Sequence, residues 1–220
     1  MTWNLPNILT VLRLLAAPGV VVMFLYFTRP LADWFALILF VGAAFTDFLD
    51  GYLARAWKQE SKFGAMLDPI ADKAMVVIAL LVITGYAGMD PWILLPATVI
   101  IFREVFVSGL REFLGDTAGT LKVTNLAKWK TTAQMIAIAV LFGTGIFGHM
   151  LLDRTVGMDA ATFDDIMNGG ADPLSLRLID TAARITWWLG VGLLWIAAAL
   201  TLITGIDYFR KAVPHLKDEP

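Results

Sequence analysis

The chain has 220 residues, of which 58% are hydrophobic and 16% are charged, and its formal net charge is −2 at pH 7. Soluble domains carry charge on roughly a quarter of their residues, so this composition excludes an ordinary soluble domain and indicates a membrane protein. The net negative charge argues against a nucleic-acid partner. Because the chain has no cysteine, disulfides and thiol chemistry are excluded as well.

Six apolar stretches come close to the roughly 20 residues that a helix needs to cross a bilayer. The predicted spans are residues 7–28, 33–52, 68–86, 91–112, 130–150 and 184–206. Arg29-Pro30 and the segment 85–91 predict tight turns between neighbouring spans. We therefore expect an all-α integral membrane protein with a single domain over residues 1–220. Its non-spanning parts would be a short N-terminal segment 1–6, a loop at about 151–183 and a tail at 207–220.

The basic residues predict the orientation of these spans, since they concentrate on the cytoplasmic side of a membrane protein. They follow the second, fourth and sixth spans: Arg55, Lys58, Lys62, Arg111, Lys122, Lys128, Lys130, Arg210, Lys211 and Lys217. The other side has Arg29 and the acidic loop 151–183, so both termini are predicted to be cytoplasmic. Phe163, Ile166 and Met167 leave two interpretations of that loop: a solvated connector, which we favour, or a short interfacial helix.

Four aspartates lie where the second and third spans meet the cytoplasmic side, Asp47 and Asp50 on one helix and Asp68 and Asp72 on the next. Residues three or four apart share a helix face, and the short connection makes the helices neighbours, so the four carboxylates can converge. An unpaired acid inside the membrane costs about 2.5–3.5 kcal/mol. Two carboxylates about 6 Å apart repel by roughly 3 kcal/mol at an effective dielectric constant near 20.

Two interpretations of the aspartates follow from spacing alone. Lys73 and Arg55 are too few to neutralise four acids, whereas one or two divalent cations with oxygen ligands would do so. The alternative is four hydrated acids near the lipid headgroups. Gly51 and Gly64 leave room for a backbone or a phosphate to approach, although small residues in membrane helices also serve close packing. Arg55 is able to bind a phosphate in a bidentate way.

The segment reads Asp47-x2-Asp50-Gly51-x2-Ala54-Arg55-x8-Gly64-x3-Asp68-x3-Asp72. With these eight residues fixed within 26 positions, the chain resembles the CDP-alcohol phosphatidyltransferase family. The resemblance implies six membrane helices, a homodimer, and an active site that faces the cytoplasm from the cell (inner) membrane. It also implies two divalent metal ions, Mg2+ or Mn2+, as cofactors.

The same resemblance assigns roles to individual residues. Metal binding would fall to Asp47, Asp50, Asp68 and Asp72, and Asp72 would also be the catalytic general base. The CDP-diacylglycerol site would be lined by Asp47, Gly51, Ala54, Arg55 and Gly64, with Thr10 and Arg13 at its N-terminal edge.

The fourth and fifth spans bear on the alcohol that accepts the phosphatidyl group. Arg103 and Arg111 lie two turns apart and are offset by about 80° around the helix, so both can face one cytoplasmic cavity. A buried arginine in the membrane indicates a fixed anion. Lys128 and Lys130 add positive charge nearby, although binding of lipid headgroups is an alternative for the two lysines and for Arg103.

Further stretches resemble the members of this family that use sn-glycerol 3-phosphate. These stretches are Leu5-Pro6-Asn7-Ile8-Leu9-Thr10-x2-Arg13, Arg103-Glu104 with Ser108-Gly109-Leu110-Arg111-Glu112, Lys128-x-Lys130-Thr131-x2-Gln134, and Asp207-Tyr208. The resemblance implies transfer from CDP-diacylglycerol to glycerol 3-phosphate with release of CMP, in phospholipid biosynthesis. Arg103, Arg111, Lys128 and Lys130 would hold the acceptor phosphate. The acidic loop departs from this pattern, because the usual connection is shorter.

Two other functions remain as alternatives. The same chemistry could use serine, inositol phosphate or phosphatidylglycerol as the acceptor. A divalent-cation transporter would also place acids within the membrane, but here the acids cluster at one face and no matching acidic pair lies deep in the later spans.

Overall fold

A computed structural model of the protein describes residues 4–57, 61–120 and 126–216, apart from the side chains of five of them, Phe48, Asp116, Thr120, Ala127 and Lys128. Within these ranges the chain is helical and forms no strand. The helices are α1 (Leu5–Tyr26), α2 (Leu31–Ala56), α3 (Lys62–Tyr86), α4 (Pro91–Leu114), α5 (Leu126–Thr155), α6 (Ala160–Met167) and α7 (Leu176–Ala212). Short 3-10 turns follow α4 at Gly115–Thr120 and α7 at Val213–His215.

Five of these helices are long and apolar enough to cross a membrane, in the part of the chain that the structure describes: α1, α2, α4, α5 and α7. The all-α prediction is confirmed for the described residues, and the five helices, which coincide with five of the predicted spans, are consistent with an integral membrane protein. The remaining predicted span, 68–86, coincides with most of α3, which is not among the five. Asp68, Asp72 and Lys73 lie in the first half of α3, and the buried apolar residues of its second half run from Met75 to Ile83.

Several helices extend beyond the predicted boundaries into polar sequence. Helix α3 begins at Lys62, so Asp68 and Asp72 are its seventh and eleventh residues and not its first turn. Helix α7 begins at Leu176, whereas a loop was predicted up to residue 183. The carboxylate of Asp172 accepts the Leu176 N–H at 2.7 Å, and such a cap stabilises the start of a helix.

The predicted loop 151–183 is largely helical, which corrects the expectation of a connector. Residues 151–155 end α5, and α6 occupies Ala160–Met167, where the alternative interpretation placed a short helix. Asp159 caps α6, because its Oδ1 accepts the Thr162 N–H at 2.8 Å. That hydrogen bond is the main reason why the pKa of Asp159 lies below its usual value.

The helices form two compact units, Met1–Ile83 with Ile138–Gly190, and Thr84–Ala137 with Val191–Pro220. In the first unit, small buried residues such as Ala17 and Ala36 accompany large ones such as Phe40. Phe142 of α5 lies 6.3 Å from Phe24 of α1 and 6.1 Å from Phe40 of α2, measured between ring centroids. Aromatic packing thus joins three helices of this unit.

A buried ion pair fixes the connection from α1 to α2 in the first unit. Arg29 Nε and Nη2 donate to the two carboxylate oxygens of Asp33, each at 2.7 Å, and Asp33 is 1% exposed. A Cβ atom at Gly145 would lie 2.9 Å from Asp33 Cγ. Glycine is therefore required at this position of α5, because it lets the helix pass close to the ion pair.

In the second unit, a proline in α4 creates a contact with α7. Pro96 has no N–H, so the Trp92 carbonyl lacks its usual helical donor. Trp195 Nε1 donates to this carbonyl oxygen at 3.0 Å. An indole N–H from the neighbouring helix thus takes the place of the missing backbone donor.

Candidate active site

Arg13 lies among the aspartates predicted from the sequence. Its Nη1 donates to Asp47 and, at 2.6 Å, to Asp72 Oδ1, while Nη2 donates to Asp50. The Arg13 side chain is 2% exposed and that of Asp50 is 4% exposed, whereas those of Asp47 and Asp72 are about half-exposed. The cluster is thus closed on one side and accessible on the other.

Thr10 brings the fourth aspartate into the cluster. Its hydroxyl lies 2.8 Å from Asp68 Oδ1 and 3.3 Å from Asp50 Oδ2. Thr10 and Arg13 are three residues apart and share one face of α1. Helix α1 therefore contributes two polar side chains to the carboxylates of α2 and α3.

The aspartates were predicted to bind divalent metal, and their chemistry fits that role. Carboxylate oxygens are the hard ligands that Mg2+ and similar ions prefer. As placed among the described residues, no three acidic or histidine side chains form a ready ligand set, and the Arg13 guanidinium lies between the carboxylates. The carboxylate oxygens therefore suit a divalent cation. The Arg13 guanidinium, which was predicted to belong to the nucleotide site, also supplies positive charge to the carboxylates.

A cavity of about 250 Å³ adjoins the cluster. Its lining residues are Pro6, Asn7, Thr10, Asp50, Gly51, Ala54, Arg55, Ser61, Gly64, Ala65 and Asp68. Five of the residues predicted for the CDP-diacylglycerol site line it, namely Thr10, Gly51, Ala54, Arg55 and Gly64. Asp47 and Arg13, which were predicted for the same site, are not among the lining residues.

Gly64 marks the place where α1 comes close to α3. Asn7 Oδ1 accepts from Ser61 Oγ at 2.7 Å, and Ser61 Oγ accepts the Gly64 N–H at 3.0 Å. A Cβ atom on residue 64 would lie 2.8 Å from Asn7 Oδ1, a distance that requires a shift. Neither Asn7 nor Ser61 was among the residues predicted for the site. The only signal for Asn7 was its place in the N-terminal run Leu5-Pro6-Asn7.

Two further backbone features shape this wall of the cavity. Gly51 lies under Arg55, whose Nη1 would be 3.7 Å from a Cβ atom at residue 51. Pro69, inside α3, has no N–H and so leaves the Ala65 carbonyl without its helical donor.

The second unit contains the basic residues predicted to hold the acceptor phosphate. Arg103 Nη1 donates to Glu104 Oε1 at 3.1 Å, and Lys130 Nζ donates to the same oxygen. The three side chains are 14%, 12% and 8% exposed, in the order Arg103, Glu104, Lys130. Glu104, which the sequence analysis gave no role, thus joins two of the predicted cations. The Lys128 side chain lies outside the described residues.

Helix α7 packs against the two arginines of α4. A Cβ atom at Gly205 would lie 2.9 Å from Arg103 Cγ, and Arg111 Cζ lies 5.2 Å from the centroid of the Tyr208 ring, within the range of a cation–π contact. Within the described ranges, four buried polar atoms of this unit have no hydrogen-bond partner: Arg103 Nε, Gln134 Oε1, Thr201 Oγ1 and Tyr208 OH. Most buried polar groups in proteins have a hydrogen-bond partner, in the protein or in ordered water, so these four atoms are exceptions.

Known proteins resemble this chain over most or all of its length. The sequence model of a family described as CDP-alcohol phosphatidyltransferase matches residues 3–164. A protein of Cereibacter sphaeroides named CDP-diacylglycerol–glycerol-3-phosphate 3-phosphatidyltransferase is 67% identical over 221 residues, which is 100% of both chains. Proteins with the same name from Rickettsia bellii and Pseudomonas fluorescens are each 37% identical. The match to the Rickettsia bellii protein covers 94% of this chain and 94% of that protein. The match to the Pseudomonas fluorescens protein covers 98% of this chain and 93% of that protein.

Proposed function

This chain belongs to the CDP-alcohol phosphatidyltransferase family, and from that premise we propose that it transfers a phosphatidyl group from CDP-diacylglycerol to sn-glycerol 3-phosphate. The products are phosphatidylglycerophosphate and CMP, so the activity is that of a phosphatidylglycerophosphate synthase in phosphatidylglycerol biosynthesis. The observation that carries this proposal is the full-length similarity, at 67% identity, to a relative named for that reaction.

The aspartate cluster is proposed as the place of reaction. Asp47, Asp50, Asp68 and Asp72 would hold two divalent ions, Mg2+ or Mn2+, which would neutralise the negative charge around the phosphorus. The acceptor hydroxyl oxygen attacks the β-phosphorus. A bond forms between this oxygen and the phosphorus, while the bond from the phosphorus to the oxygen of the leaving CMP breaks. Asp72 takes the hydroxyl proton, and the half-exposure of its carboxylate supports access by an acceptor.

The adjoining cavity is proposed to bind the CDP part of the lipid substrate. Arg55 provides a guanidinium for a phosphate, and Gly51, Ala54 and Gly64 keep that wall free of side chains. Thr10 orients Asp68 and Asp50 from the other wall. Arg13 supports this site by charge from within the carboxylate cluster, and Asp47 serves both the metal and the nucleotide.

The basic residues of the second unit are proposed to hold the acceptor phosphate. Arg103, Arg111, Lys128 and Lys130 supply the positive charge. Support comes from Arg103, which is 14% exposed in its side chain and whose Nε finds no partner among the described residues. Such a buried donor is costly unless a ligand uses it.

We further propose one domain over residues 1–220 that crosses the cell (inner) membrane six times, with α3 as the additional span. Helix α3 has 25 residues, about 37 Å at 1.5 Å per residue, against a hydrocarbon core of about 30 Å. Both termini and the active site then face the cytoplasm, the partners include membrane lipid, and the protein forms a homodimer.

The decisive experiment supplies purified protein with CDP-diacylglycerol, Mg2+ or Mn2+ and one labelled acceptor at a time. We expect CMP release and a labelled lipid with glycerol 3-phosphate, and neither after EDTA treatment. Labelling with serine, inositol phosphate or phosphatidylglycerol instead would overturn the acceptor. If no acceptor supports CMP release while labelled divalent metal enters proteoliposomes, the transferase proposal fails and a transporter is indicated.

A further inference from the structure

An acidic side chain stands among the basic residues proposed to bind the acceptor phosphate. Glu104 is 12% exposed in its side chain, and its position is unexpected for an anion site because a carboxylate repels a phosphate. A carboxylate with no other role at this position would only weaken the binding of the phosphate. The hydrogen bonds of Glu104 indicate its role.

Glu104 Oε1 receives hydrogen bonds from Arg103 of α4 and Lys130 of α5. Arg103 and Glu104 are consecutive residues, so their side chains leave the helix about 100° apart. The Arg103 side chain must therefore bend toward its neighbour. Lys130 approaches the same oxygen from a helix that begins after a long connection. One carboxylate oxygen thus sets the positions of two cations from different helices.

The poorly solvated surroundings make this contact important. Arg103 and Lys130 are both less than 15% exposed in their side chains, so their mutual repulsion is weakly screened. Without an anion between them, long basic side chains turn their charged ends toward water. Glu104 keeps both cations in place before a ligand arrives.

We propose that Glu104 is a positioning residue for the acceptor phosphate, acting through Lys130 and Arg103. This inference rests on the proposed function. Removal of the carboxylate has two opposing effects: the site becomes more positive, which favours an anion, and its donors lose their fixed positions. The loss of position dominates, because a phosphate gains specificity from several charge-assisted donors at fixed distances.

The test compares Glu104→Gln with the unaltered protein in the transfer assay. We expect the KM for glycerol 3-phosphate to rise about tenfold, equivalent to about 1.4 kcal/mol, while the KM for CDP-diacylglycerol and kcat change less than about twofold. The preference for glycerol 3-phosphate over glycerol should fall by a similar factor. Glu112→Gln, at an exposed position on the same helix, is the matched control and should change none of these quantities.

Two further variants separate positioning from a purely structural role. Glu104→Asp keeps the charge and should restore part of the preference for the phosphorylated acceptor. Because part of the effect of Glu104 runs through Lys130, the double variant Glu104→Gln with Lys130→Gln should raise the KM for glycerol 3-phosphate by less than the product of the two single increases. If Glu104→Gln does not fold, Glu104→Asp should still show a raised KM for glycerol 3-phosphate.

The outcomes distinguish this inference from the proposed function. An unchanged or lower KM for glycerol 3-phosphate in a folded Glu104 variant overturns the inference and leaves the reaction intact. An equal rise in both KM values assigns a structural role and also overturns it. Failure of the unaltered protein to use glycerol 3-phosphate refutes the proposed function itself.

Discussion

Arg13 contacts three aspartates from a nearly buried position. Each pair of carboxylates about 6 Å apart repels by roughly 3 kcal/mol at an effective dielectric constant near 20, and one guanidinium between them offsets much of that repulsion. The bidentate geometry of arginine suits this task, whereas a lysine would offer only a point charge. The cluster therefore has an internal counter-charge from α1.

Asp72 is the residue on which the proposed chemistry depends most. In Asp72→Asn the acceptor hydroxyl loses its base, so we expect turnover to fall by about 10²-fold or more. Binding of CDP-diacylglycerol should stay within a few-fold, because the cavity residues are unchanged. CMP release and equilibrium binding in detergent measure the two quantities. Asp153→Asn, at an exposed site, is the control, and near-normal turnover in Asp72→Asn would contradict the assignment.

Gly64 offers a test of the close approach between α1 and α3. In Gly64→Ala the new Cβ would meet Asn7 Oδ1 at 2.8 Å and Ser61 Oγ at 3.3 Å, so the hydrogen-bonded wall of the cavity must shift. We expect the KM for CDP-diacylglycerol to rise about three- to tenfold.

The matched control is Gly42→Ala in α2, where nothing lies within 4 Å of the added Cβ. Alanine is the better helix former, so this variant should be as active as the unaltered protein and at least as stable. Equal KM values in the two variants would show that the contact with Asn7 does not shape the substrate site.

At the scale of whole elements, the Arg29–Asp33 pair connects the start of α2 to the turn before it. Loss of one partner leaves a buried charge unpaired, so Asp33→Asn should lower the free energy of unfolding by about 3 kcal/mol. Asp180–Arg184 has the same spacing along its helix, but Arg184 is 73% exposed. Asp180→Asn should therefore cost less than about 1 kcal/mol.

Thermal unfolding in detergent compares the two variants. A clear drop in Tm for Asp33→Asn beside an unchanged Tm for Asp180→Asn is the expected result. If both variants melted like the unaltered protein, the buried pair would not stabilise this connection.

The helices themselves could largely be predicted from the sequence, because apolar length is a local property. Their ends could not, since α7 begins at Leu176, before the predicted span, where Asp172 provides a cap and an Asp180–Arg184 pair supports the next turns. The spacing of the aspartates likewise indicated their convergence. The contacts of Arg13 and of Glu104 join residues of different helices, and only the packing of those helices brings them together.

For the molecule as a whole, the proposed orientation is open to a direct test, because the chain has no cysteine. Single cysteines are placed at His215, near the C-terminus, and at Asp164, in α6; both positions are exposed. In intact cells an impermeant thiol reagent should label Asp164→Cys but reach His215→Cys only after permeabilisation. The opposite pattern would invert the orientation, and labelling of both in intact cells would contradict a membrane crossing by α7.

Pro69 removes the helical donor of a main-chain oxygen in a residue that lines the cavity. The Ala65 carbonyl beside it lacks a helical donor for covalent reasons, and Ala65 lines the cavity. A donor group on the nucleotide that bonded this oxygen would bind to the main chain. Alanine scanning of the cavity would then leave part of the binding energy unaccounted for. This share of the binding energy would be detected only in a variant in which Pro69 is replaced and the missing N–H is restored.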